Sequence, residues 1–320
     1  MKDNLLELLE FFSNKNPNRI AFNFLEDGEL ITNSISYQDL RNRARKIAIH
    51  LRKQNLKGER ALLLYPSSLE FIVSFFACLY AGVIAVPAYP PRKNRLSGRI
   101  KSIVKSAGPK IVLTAKRTKI NQENAKDYLG DIPVFITDDE KVLESIKGRL
   151  RLPKIEADTL AFLQYTSGST GDPKGVMISH GNIMANVQDF KLGFSSTDKD
   201  RMVTWLPIFH DLGLIYGILH PFYCMFPAYI FPPSVFIKNP VKWLQVISKY
   251  KGTQSAAPNF AYDLCLTIPV AKLSNIDLSS WLHSVNGAEP IRTETVKQFN
   301  AFFATYGLRH NTISTGYGMA

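Results

Sequence analysis

Short uncharged runs alternate with amphipathic stretches along the first half of the chain, and this alternation narrows the possible folds more than any other feature. Tyr37 to Lys53 puts Leu40, Ala44, Ile47, Ala48 and Leu51 on one face, the period of a surface helix. Arg60 to Tyr65 follows as a short apolar run and reads as a buried strand. Leu69 to Tyr80 predicts a helix, with Ala81-Gly82 as its C-terminal stop. Val83 to Val86 reads as the next strand. Leu96, Ile100, Ile103, Val104 and Ala107 then form a helical stripe ended by Gly108-Pro109. Ile111 to Thr114 and Val134 to Thr137 read as further strands. Strand–helix–strand units of this kind predict an α/β fold whose mostly parallel sheets are covered on both faces.

Composition excludes several alternatives. The chain has 320 residues, 45% hydrophobic and 21% charged, an ordinary globular profile. A chain this long can bury roughly three quarters of its unfolded surface, so it needs no disulfides. Its three cysteines, Cys78, Cys224 and Cys265, lie far apart, which fits a reducing cytosol and no CxxC module. At the N-terminus, Leu5, Leu6, Leu8, Leu9 and Phe12 have helical spacing, and Glu7 and Glu10 argue against a secretory signal. Phe71 to Pro91 and Leu212 to Ile237 lack charge, but prolines divide both. A spanning helix needs about 20 mostly uninterrupted apolar residues, so buried core or a pocket wall is the expectation.

Common catalytic motifs are missing. The nearest approach to a phosphate-binding Walker loop has Pro173 where its second glycine belongs, and Gly175 where serine or threonine should follow lysine. GxGxxG, GxSxG and HExxH do not occur. His210-Asp211 has no second ligand at helical spacing, so zinc is not expected.

One loop remains. Thr166-Ser167-Gly168-Ser169-Thr170-Gly171-Asp172-Pro173-Lys174-Gly175 holds three glycines, four hydroxyl residues and a lysine. It lies between two strand-like runs, Leu160 to Tyr165 and Val176 to Ser179, and a helix pattern starts after Gly181-Asn182. Glycines let backbone amides approach a ligand closely, and amides with hydroxyls can surround phosphate oxygens. A flexible surface turn is the plainer alternative.

The stretch YTSGSTGDPKGVMISHGN resembles the signature loop of the adenylate-forming acyl ligases. These comprise acyl-CoA synthetases, luciferases, nonribosomal adenylation domains and fatty acyl-AMP ligases. Other segments are similar in order and spacing: Trp205 to Leu214 (WLPIFHDLGL), Asn286-Gly287-Ala288-Glu289-Pro290, Thr315-Gly316-Tyr317-Gly318-Met319-Ala320, and Tyr80 to Pro87. Pro87-Ala88-Tyr89-Pro90-Pro91 and Phe209 to Leu214 look most like the fatty acyl-AMP ligase branch, whose product usually passes to an acyl carrier protein.

This resemblance implies two packed, doubly wound subdomains, with approximate halves 1–155 and 156–320 intertwined. It implies that a carboxylate attacks the α-phosphorus of ATP, giving acyl-adenylate and pyrophosphate with Mg2+. Thr166, Ser167, Gly168, Ser169, Thr170, Gly171 and Lys174 would hold the phosphates, with Thr166 also near the metal. Asn286 to Pro290 would line one face of adenine, and Thr315 to Ala320 the other, with Tyr317 stacked. His210 would orient the carboxylate or gate the acyl pocket; taken alone it reads first as a hydrogen-bonded core histidine, and its place in the matched segment reverses that preference. Asp211, Leu214 and Phe260 would meet the substrate, although plain core packing explains the apolar pair as well.

Family members continue past the equivalent of Ala320 with a magnesium-binding glutamate, a ribose-binding aspartate and a lid lysine. The expectation is therefore the N-terminal portion of a longer ligase, with little adenylation by this portion alone. A fatty acyl-CoA ligase and a non-catalytic nucleotide-binding module are the alternatives. The net charge of +12 suggests an acidic partner, but no nucleic-acid motif accompanies it. Arg92 to Lys119 carries ten lysines and arginines and no acid. Either this is a solvated helix face whose stems pack beside Ile100 and Val104, or it docks an acidic carrier protein or coenzyme A phosphates.

Overall fold

The structure is a computed structural model that describes residues 2–91, 97–166 and 173–318. Its strands are β1 (Ile20–Phe24), β2 (Asn33–Ser36), β3 (Arg60–Leu64), β4 (Ile84–Ala88), β5 (Ile111–Thr114), β6 (Val134–Ile136) and β7 (Leu160–Tyr165). There follow β8 (Gly175–Ser179), β9 (Met202–Thr204), β10 (Ala228–Ile230), β11 (Gln254–Ala257), β12 (His283–Asn286) and β13 (Ile313–Thr315). The chain divides into two compact units. One takes Met1–Arg19 and Ser36–Asn186, the other Ile20–Ile35 and Val187–Met319. The exchange thus falls after Asn186 instead of near 155, because β7 and β8 complete the first unit's sheet.

The first unit holds a six-stranded sheet in the order β6-β5-β3-β4-β7-β8. Every pairing in it is parallel except β7 with β8, which form an antiparallel pair. The helix Leu69–Ala81 is buried on nearly every side, which is why its sequence is apolar apart from Glu70 and Ser74. Ser68 caps its start through the Phe71 amide, and Gly82 ends it in the left-handed region at φ +68°. Tyr65 is wholly buried, and its hydroxyl meets Ser74 Oγ at 2.8 Å and Thr137 Oγ1 at 2.7 Å. The N-terminal helix Leu5–Lys15 docks through Glu10, which accepts from Tyr80 Oη at 2.7 Å and Arg45 Nη1 at 3.0 Å.

The helix Ser97–Ala107 sends Ile100, Ile103 and Ala107 into a core with Leu62, Leu64, Val86 and Val112. Arg99, Lys101 and Lys105 are exposed on its other side. The charged, mixed stretch 141–157, which has no clear period, begins within a short helix, Glu140–Ser145, and the chain is otherwise irregular until β7.

The second unit holds a seven-stranded sheet in the order β13-β12-β11-β9-β10-β1-β2, parallel from β13 to β1. Trp243, Trp281, Tyr262 and Phe299 pack edge to face beside it. Its strands carry buried polar groups that are satisfied in place. Trp243 Nε1 donates to Ser255 Oγ at 2.9 Å, and Tyr262 Oη pairs with Ser284 Oγ at 2.8 Å. The fully buried His220 shares Ser196 Oγ (3.1 Å) and Gln254 Oε1 (3.2 Å). Among the described residues, no helix is long and apolar enough to cross a membrane.

Burial pushes the imidazoles of His180 and His220 from 6.5 down to about 4. Unfolding exposes both rings, so at mildly acid pH the unfolded chain binds protons that the folded chain does not. Their stabilising contribution is therefore complete above about 6.5 and is lost as the pH falls toward 4. Urea midpoints followed across that interval should fall steadily. In His220→Gln the slope should be shallower; an unchanged slope would show that His220 plays no part in it.

Candidate functional site

The loops at the carboxyl ends of β9, β11, β12 and β13 build the site in the second unit. In parallel sheets such ends are the usual place for ligands. Ala257 pairs with Asn286, and Asn286 with Thr315, so three strands end side by side. The chain then leaves each strand in step. The Gly287 amide donates to the Ala257 carbonyl at 3.4 Å, and the Gly316 amide to the Asn286 carbonyl at 2.7 Å. A Cβ on Gly287 would stand 2.6 Å from the Gly316 carbonyl oxygen, and one on Gly316 2.3 Å from Val285 Cγ1. Only glycine fits this close approach.

Ala288 follows at φ +66°, a left-handed conformation unusual for alanine. Glu289 and Pro290 are exposed, and Glu289 Oε1 accepts from the Phe260 amide at 2.6 Å. Tyr317 is 90% exposed, with both neighbouring positions, Gly316 and Gly318, free of bulk. Met319 and Ala320 lie outside the described residues.

The segment after β9 behaves differently. Trp205 is buried and stacked on Phe236, ring centroids 3.9 Å apart, and meets Phe260 edge-on at 6.3 Å. Its Nε1 has no hydrogen-bond partner among the described residues. His210 is 50% exposed, and its Nδ1 meets Asp211 Oδ1 at 2.5 Å. The same carboxylate oxygen accepts from the Leu212 amide at 2.6 Å. Burial pushes the Asp211 carboxyl up, but the His210 contact and the Leu212 amide outweigh it and hold it below its ordinary value.

Leu212–Leu219 is then a π-helix, a rare form that recurs at functional sites. Leu214 within it is fully buried, whereas Phe260, on the helix Asn259–Leu266, is 36% exposed. A Cβ on Gly213 would stand 2.2 Å from the Pro207 carbonyl oxygen, so this helix touches the preceding turn backbone to backbone.

In the first unit, Thr166 and Lys174 flank the signature loop where the β7–β8 pair ends. The Thr166 amide donates to the Lys174 carbonyl at 3.2 Å. Ser167, Gly168, Ser169, Thr170 and Gly171 lie outside the described residues.

One participant escaped the sequence reading. Asn259 is 1% exposed and bonds to four partners. Its Oδ1 accepts from the Arg292 amide (3.1 Å) and Asn286 Nδ2 (3.4 Å), and its Nδ2 donates to Asp263 Oδ2 (3.3 Å) and Thr295 Oγ1 (3.2 Å). The signal for it is slight: a lone asparagine after proline, where a strand gives way to a helix.

The family of AMP-binding enzymes matches residues 9–320. The chain belongs to that family. It is 42% identical to the medium-chain-fatty-acid–[acyl-carrier-protein] ligase JamA of Moorena producens, over 99% of this chain and 54% of JamA. It is 32% identical to the ligase TtuA of Teredinibacter turnerae, which has the same activity name, over 99% of this chain and 55% of TtuA. The crystal structure of the fatty acyl-adenylate ligase from L. pneumophila with acyl adenylate and pyrophosphate superposes with a TM-score of 0.89 at 38% identity. That match covers 98% of this chain and 54% of the other. The chain thus spans about half the length of the curated relatives it matches. The two α/β units with parallel-dominant sheets are those of the family.

Gly213→Ala should be costly, because the obstacle is backbone and cannot rotate away. A loss of about 1–3 kcal/mol is expected, as for other overpacking. Urea denaturation checks it: an unchanged midpoint would mean that the π-helix does not need this close contact.

Proposed function

We propose that this chain is the nucleotide- and acyl-binding portion of an enzyme that activates a fatty acid with ATP, releasing pyrophosphate and handing the acyl group to an acyl carrier protein. The observation that carries the reading is the in-register set of strand ends in the second unit. It puts the glycine-lined Gly287–Pro290 turn beside the segment that bears an exposed tyrosine. A purine has two flat faces, and a close-packed backbone turn with a free aromatic ring suits both. The names of JamA and TtuA support the fatty acid and the carrier protein.

In this reading Asn286 to Pro290 line one face of adenine, and Tyr317, with its neighbours in Thr315 to Ala320, covers the other. Thr166, Ser167, Gly168, Ser169, Thr170, Gly171 and Lys174 hold the phosphates, where amides, hydroxyls and one ammonium spread charge without moving protons. His210 orients the attacking carboxylate, its ring held by the Asp211 carboxylate at 2.5 Å. Phe260 and Leu214 border the acyl chain.

Among the described residues, no group of three or more His, Cys, Asp or Glu is placed to hold a metal. Magnesium, which keeps several waters and binds largely through substrate phosphates, is the metal of this reading. Thr166 is the hydroxyl assigned beside it. The chemistry then rests on positioning and charge stabilisation, with no covalent nucleophile. The buried, free cysteines suit a cytoplasmic setting.

Calorimetric titration with ATP and magnesium tests the nucleotide site. Tyr317→Ala should weaken binding by roughly 5- to 150-fold, the 1–3 kcal/mol of one stacked base. Equal affinity in this variant would remove Tyr317 from the site. For the acceptor, acyl transfer by the full-length enzyme with a medium-chain fatty acid should proceed to holo carrier protein in preference to coenzyme A. The opposite preference would place the chain with the CoA ligases.

A further inference from the structure

Glu289 sits in the turn assigned to adenine, yet its carboxylate is engaged elsewhere. It reaches back 29 positions in sequence to accept the Phe260 amide at 2.6 Å. That amide belongs to the first turn of the helix Asn259–Leu266, whose own N-cap residue is Pro258 and supplies no side-chain hydrogen bond. First-turn amides of a helix lack partners within it, and a carboxylate there also meets the favourable end of the helix dipole. Glu289 is therefore a cap delivered from another segment.

It is one of several fastenings. At the near end of the turn, the Gly287 amide holds the Ala257 carbonyl. At the far end, the Arg292 amide donates to Asn259 Oδ1 at 3.1 Å, and Arg292 Nη2 to Asp263 Oδ2 at 2.7 Å. Between them Ala288 is held at φ +66°, which an unrestrained alanine would leave. Among the fastenings made by side chains, Glu289 is the one next to the strained residue. Its partner Phe260 is also the residue whose ring is assigned to the acyl chain, so one hydrogen bond joins the nucleotide turn to the acyl side.

We propose that Glu289 is a positioning residue of the nucleotide site: its side chain acts by accepting the Phe260 amide and so holding the Ala288 turn in shape, and its carboxylate touches neither the nucleotide nor its metal. This rests on the nucleotide site proposed above. Two roles give different responses to substitution. A positioning acceptor is replaced well by glutamine, whose side-chain oxygen accepts the same bond without charge. A group that acts through its negative charge, on magnesium for instance, is not.

The test is titration of the chain and its Glu289→Ala and Glu289→Gln variants with ATP and magnesium, with thermal unfolding of each alongside. Glu289 is exposed, so neither variant should perturb the core. Glu289→Ala should bind ATP about tenfold more weakly, as expected for losing one charge-assisted hydrogen bond. Glu289→Gln should stay within about threefold of the unaltered chain, its neutral acceptor being the weaker one. Unchanged affinity in Glu289→Ala overturns the proposal. So does Glu289→Gln binding as weakly as Glu289→Ala, since charge would then be the active property. If the unaltered chain binds no ATP, the nucleotide site itself falls and this proposal with it, an outcome distinct from the other two.

Discussion

Ala257, Asn286 and Thr315 stand abreast because β11, β12 and β13 pair in parallel and in register. The geometry of the second unit's site depends on that pairing. A slip of one residue would turn each strand's side chains to the opposite face. It would take Ser255 and Ser284 away from Trp243 and Tyr262, and strand those buried polar atoms without partners. The register is thus fixed from inside, by hydrogen bonds beneath the sheet. The site at its edge inherits the precision. Gly287 and Gly316 then allow the two exit segments to run closer together than any side chain would permit.

The first unit was largely legible in the sequence. The Tyr37–Lys53 helix, the Arg60–Leu64 strand and the Leu69–Ala81 helix form within a residue or so of their expected limits. There, hydrophobic periodicity and burial coincide, so local pattern and tertiary structure give the same answer. The second unit was far less legible. Its strands are short, and β11 (QSAA) and β12 (HSVN) read as polar. They are buried because Trp243, Tyr262 and His220 supply hydrogen bonds from distant parts of the chain, which no local pattern announces. The contribution of β1 and β2 to that sheet was invisible for the same reason: it depends on β1 pairing with β10, some two hundred residues away. The π-helix at Leu212–Leu219 shows only as an uncharged run, since composition cannot distinguish its hydrogen-bond ladder from an α-helical one.

The candidate site residues divide along a similar line. The signature loop stands out by its density of glycine and hydroxyl residues, the other segments only by their resemblance to the family, and the strands expected beside the loop are β7 and β8. Asn259 was missed because its importance lies in four partners that the sequence scatters over helix, strand and turn. The sequence reading placed Glu289 by its motif, but could not tell that its carboxylate turns away to cap a helix.

That turning away has a wider meaning for a site proposed to receive a polyanion. A free carboxylate near phosphate oxygens would repel them, and acids are nonetheless present in these segments. Each is engaged. Glu289 accepts a helix amide, Asp263 is held by Arg292 and Asn259, and Asp211 by His210 and the Leu212 amide. Hydrogen bonding to a carboxylate points its lone pairs at the donor and fixes where its charge sits. The same bonds brace the turns that the nucleotide would meet. In this way the acids of the second unit serve the architecture of its turns.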